Sequence, residues 1–144
     1  MKRPAEIDVV DRFLPLRKHL LELLGELSED DWGRPTAAPR WSVKDVASHL
    51  LGGDVWILSC HRDGFRVPRE FTNLVDLVNG LNEEWVVANR RLSPRLLREM
   101  PAFTGPEVEA YFSSLDPAAM GEPVSWAGPD AAPVWFDLAR EFPL

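Results

Sequence analysis

Leu74, Val78, Leu81, Trp85, Ala88 and Leu92 follow one another at alternating spacings of four and three without a break. Residues at those spacings share one side of an α-helix but fall on both faces of a strand. The stretch from about Asn73 to Leu92 can therefore gather its apolar side chains only as a helix. Such a seam needs partner helices, and a helical bundle becomes the frame for the rest of the chain.

The partners are visible in the same way. Leu16, Leu20, Leu23 and Leu27 define a helix over roughly Asp8 to Glu26, with Pro15 marking a start near Leu14 or a bend. Ser28 can cap a single turn ending at Trp32, and Gly33 to Arg40, with Pro35 and Pro39, reads as loop. Ser42 and Asp45 have capping-box spacing, flanked by Trp41 and Val46 at staple positions. The helix they open should run to about Arg62 and stop at Gly64. Its expected inner stripe is Val46, His49, Leu50, Gly53, Trp56, Ile57 and Cys60. Ser93-Pro94 predicts a short helix to about Met100, and Pro106 to Leu115 a second short one. Asp116 to Ala132 is expected to be loop anchored by Trp126, and a last helix begins near Pro133. No segment alternates like a strand, so residues 1–144 are read as one all-α domain, an up-and-down helical bundle.

Charge narrows the function. The net charge is −7 with no basic stripe, which disfavours binding to a phosphate backbone. Arg90-Arg91 and Glu83-Glu84 read as a solvated, charge-mixed helix face. Met1 to Ile7 has no apolar signal core and no apolar run approaches the length of a membrane span. Cys60 is the single cysteine, so there is no intramolecular disulfide and no cysteine-rich zinc site. A cytoplasmic protein without nucleic-acid or membrane partners is expected.

His49 is the residue that stands out chemically. An inward imidazole opposite Gly52-Gly53 can hold a divalent metal, with the glycines leaving space for a ligand; a core histidine satisfied by a hydrogen bond is the commoner alternative. His61 lies twelve residues along the same helix, about 18 Å away at helical rise, too far to share an ion. It reads as a cation at a helix C-terminus, His19 as a boundary residue, and Cys60 as an inert buried thiol. Asp45 can support His49 from one turn away, although the cap already accounts for it.

The ordered string Leu27-Ser-Glu-Asp-Asp-Trp32, Pro35-Thr36 and Trp41-Ser-Val-Lys-Asp-Val-Ala-Ser-His49-Leu50 resembles the N-terminal metal-binding domain of mycothiol-dependent maleylpyruvate isomerases, within the DinB-like four-helix superfamily. Asn82-Glu-Glu-Trp85, Arg90-Arg-Leu-Ser-Pro94, Val124-Ser-Trp-Ala-Gly128 and Trp135 through Phe142 extend the resemblance over nearly the whole chain. It implies a metal site of the zinc or nickel class with His49 as first ligand, mycothiol as thiol partner, and Trp56, Asn82 and Trp85 as pocket walls. In the family a Glu and a His four residues later, on the last long helix, complete the ligand set. They have no counterpart here, where Pro143-Leu144 follow Phe142, and that helix is read as shortened or missing; Asp137 and Glu141 precede the expected positions. Two functions follow as expectations: a domain for thiol-linked isomerase or transferase chemistry with an incomplete metal site, or a non-catalytic module for homodimerisation or small-molecule binding.

Overall fold

The computed structural model describes residues 9–68, 70, 72–121 and 130–141; for Leu74, Arg140 and Glu141 it describes the backbone alone. A short 3-10 turn, Val10–Arg12, leads into α1 (Phe13–Glu26). There follow α2 (Glu29–Trp32), α3 (Val43–Trp56) running on as a wider π-turn segment (Ile57–Arg62), α4 (Leu74–Asn89), α5 (Pro94–Ser114) and α6 (Val134–Glu141). Among the described residues there is no strand, and the fold is an all-α bundle. No helix among them is long and apolar enough to cross a membrane.

Three of the helix starts follow from local chemistry. Ser28 and Ser42 each form a complete capping box, with Asp31 and Asp45 reaching back to the cap amide. Ser93 accepts from the Leu96 amide at 3.2 Å, and Pro94 occupies a first-turn position where no amide hydrogen is needed. Gly64, at φ +67°, closes the π segment in the left-handed conformation expected of it.

The two short helices expected between Ser93 and Leu115 are one. Pro101 and Pro106 lie inside α5, although each removes a backbone donor. Leu97, Pro101, Thr104, Val108 and Phe112 form a continuous buried stripe across both prolines. Burying that stripe outweighs the lost hydrogen bonds. The core position of α5 explains why: it packs against both α1 and α3, while α4 packs against α3.

Two apolar clusters fill the bundle. Leu24, Trp32, Ala47, Leu51 and Leu97 form one; Leu58, Val108, Phe112 and Leu138 form the other. Between them along each of three helices sits a polar residue: Arg17 on α1, Asp54 on α3, Thr104 on α5. Arg17 Nη2 meets Asp54 Oδ1 at 2.6 Å, and the Thr104 hydroxyl donates to Asp54 Oδ2. The arginine stem lies against Gly105, where a Cβ would come within 2.9 Å of it, and its guanidinium stands 5.1 Å from the Phe13 ring centre. Arg17 Nη1 is buried without a hydrogen-bond partner among the described residues.

The inner stripe expected for α3 is out of phase. The buried residues are Asp45, Ala47, Ser48, Leu51 and Asp54, whereas Leu50 is 42% and Trp56 51% exposed. Three of the five are polar, so the face that enters the core carries less hydrophobicity than its neighbour. Trp126 falls outside the described residues, as does Phe142.

Candidate functional site

His49 occupies a half-buried position on α3, about two turns below the capped N-terminus. Its imidazole lies against Trp41, with ring centres 5.0 Å apart and planes tilted by 44°. Burial pushes its pKa below the ordinary histidine value, so the ring is neutral at neutral pH. Neutral imidazole is the form that ligates metals. Among the described residues no hydrogen bond to the ring is formed.

The charged residues around it are more ordered than a solvated face would be. Trp41 Nε1 donates to Glu83 Oε2 at 3.1 Å, and Arg40 Nη2 stands 3.9 Å from the same oxygen. Arg90 grips Asp45 with Nε to Oδ1 at 3.2 Å and Nη2 to Oδ2 at 3.3 Å, tying the end of α4 to the start of α3. Lys44 Nζ adds a bond to the Arg90 carbonyl at 2.6 Å. Burial alone would raise the Asp45 pKa, but Arg90 and the Ser42 amide outweigh it and hold the carboxyl below its ordinary value. Asp45 is thus committed to the cap and to Arg90; these contacts, rather than His49, account for its oxygens.

The three expected pocket residues fare differently. Trp85 packs against α3: its indole donates to the Ser48 carbonyl at 2.7 Å and covers Gly52, where a Cβ would lie 2.8 Å from the ring. Gly52 therefore serves helix packing, not ligand space. Gly53 does face open space. His49, Gly53 and Trp56 lie four and three residues apart on one helical face, with a bare glycine between two rings. Trp56 also meets His61 edge-on, with centres 6.4 Å apart. Asn82 is half-buried on α4, one turn before Trp85.

No group of three or more His, Cys, Asp or Glu side chains able to hold a metal exists among the described residues. His49 fits as a single donor, but the described donors do not make a metal centre, which takes three protein ligands. Cys60 is a free, buried thiol inside the π segment. His19 is exposed, with Nδ1 3.4 Å from Glu22 Oε2. Sequence reasoning missed the partners of the site: Glu83 and Arg90 sit in charged pairs that look solvated until the loop before α3 folds over α4.

A family model described as the mycothiol maleylpyruvate isomerase N-terminal domain matches residues 13–141. No curated protein and no solved structure matches the chain.

Proposed function

The chain belongs to the mycothiol maleylpyruvate isomerase N-terminal domain family, and from that premise we propose that it is a metal-binding-type domain of mycothiol-linked chemistry whose site is incomplete. His49 is its donor. The observation that carries this reading is a half-buried imidazole, its pKa held down by burial, with no hydrogen-bond partner among the described residues and with Gly53 open beside it on the same face of α3. On this reading a small thiol-bearing molecule lies along that face, between His49 and Trp56. No step of a reaction is assigned to a metal, because one imidazole cannot hold zinc or nickel tightly.

Dialysis against nickel, then against metal-free buffer, followed by metal analysis, tests the reading. The expected result is well under one ion per chain for the native sequence and essentially none for His49→Ala. One tightly held ion per chain contradicts the incomplete site. Equal metal in both proteins contradicts His49 as donor.

A further inference from the structure

We propose that the outer faces of α1 and α5 are a docking surface for a second copy of this chain, with Phe103 of each copy seated in a groove of the other. Groove and ring lie side by side on the fold. A groove of about 430 Å³ separates the two helices, lined by Leu14 and Leu21 on α1 and by Ala102 and Pro106 on α5. Ala102 contributes only a methyl group there, which leaves the hollow between the larger side chains. Lys18 and Glu22, both exposed, stand at its edge.

Phe103 follows Ala102 and precedes Pro106 by three residues, so it shares the outward face of α5 with that proline. At 73% exposure it is the most exposed aromatic side chain among the described residues. An aromatic ring held in water beside an unfilled apolar groove marks a contact surface.

The adjacency of ring and groove selects a second copy as the occupant. A two-fold contact brings the same patch of both chains together, so a projection next to its own recess is self-complementary. Each ring enters the opposite groove while its own groove receives the opposite ring. Charge agrees with this seating. Glu99 and Glu107 flank Phe103, four residues away on either side. Lys18 pairs only loosely with Glu22, at 3.7 Å. A seated ring carries its acidic neighbours toward that lysine across the contact. The surface shares no residue with the His49 face of α3, and the proposal is independent of the donor reading.

Sedimentation equilibrium of the full chain over a wide concentration series tests the contact. The native chain should associate reversibly to a dimer and no further, because a two-fold contact closes on itself. Phe103→Ser removes the ring and should weaken association about thirtyfold or more, as loss of a central aromatic anchor does. Ala102→Glu places a charge in the hollow and should weaken it comparably. Both positions are exposed, so circular dichroism should show native helix in each variant. Phe65→Ser is the control: that ring is 67% exposed but belongs to neither helix, and its loss should leave association unchanged.

A native chain that stays monomeric at every concentration overturns the proposal, as does a dimer that Phe103→Ser leaves intact. Equal weakening by Phe65→Ser and Phe103→Ser would show undirected apolar adhesion in place of a seated ring, and overturns it too.

Discussion

Asp54→Ala lowers stability by about 3–5 kcal/mol, the cost of stripping the partner from a buried charge. For a chain of this size that corresponds to a fall in melting temperature of roughly 10–20 °C. The Arg17 side chain is only 10% exposed, and that of Asp54 5%. With the carboxylate gone, the guanidinium keeps the Phe13 ring as neighbour but has no anion, and Nη1 already lacks a hydrogen-bond partner. Thr104 loses its acceptor as well, although a threonine on a helix can turn its hydroxyl to a carbonyl one turn back. The pair Arg17→Met with Asp54→Leu should recover most of the loss, because apolar residues of similar volume replace a buried ion pair at little cost. Thermal unfolding of the two singles and the double, read as a cycle, gives the coupling. A loss below about 1 kcal/mol in Asp54→Ala would mean that water reaches the pair.

The second large effect separates neighbours on α3. Leu51 is fully buried between α1, α2 and α5 residues of the first cluster, and Leu51→Ala should cost about 2–5 kcal/mol. Leu50 is 42% exposed, and Leu50→Ala should cost about 1 kcal/mol or less. The glycines one position on follow the same phase. Gly52→Ala drives a methyl into the Trp85 ring and should cost about 1–3 kcal/mol. Gly53→Ala meets open space and gains up to about 1 kcal/mol of helix propensity. Denaturant unfolding of all four variants checks the set. If Leu50 proved the costlier leucine, the rotation of α3 described above would be wrong.

That rotation shows how much was legible. Capping chemistry located the starts of α2, α3 and α5, because a serine three residues before its partner acts locally and needs no tertiary help. The phase of α3 was not legible, because Asp45, Ser48 and Asp54 occupy its core face. The burial of Asp45 and Asp54 depends on Arg90 and Arg17, which are 45 and 37 residues away in sequence, and the Ser48 hydroxyl is buried with no partner among the described residues. The residues His49, Gly53 and Trp56 were rightly grouped as one face, but that face is the half-open side of the helix. In α5 the prolines hid a stripe that the spacing of Leu97, Pro101, Thr104, Val108 and Phe112 already contained. The seam on α4 holds in part: Val78, Leu81 and Trp85 are half-buried, but Ala88 is exposed, the helix stops at Asn89, and Val86 is its fully buried residue. Family membership was legible in the ordered motifs, since matches spread along the whole chain are hard to meet by chance.

The described residues offer a bound ion one imidazole, and X-ray absorption on the nickel-loaded protein counts such donors directly. One nitrogen from histidine, with oxygen filling the remaining positions, is the predicted spectrum. Two or more imidazoles around the metal, or a sulfur at bonding distance, would contradict the account.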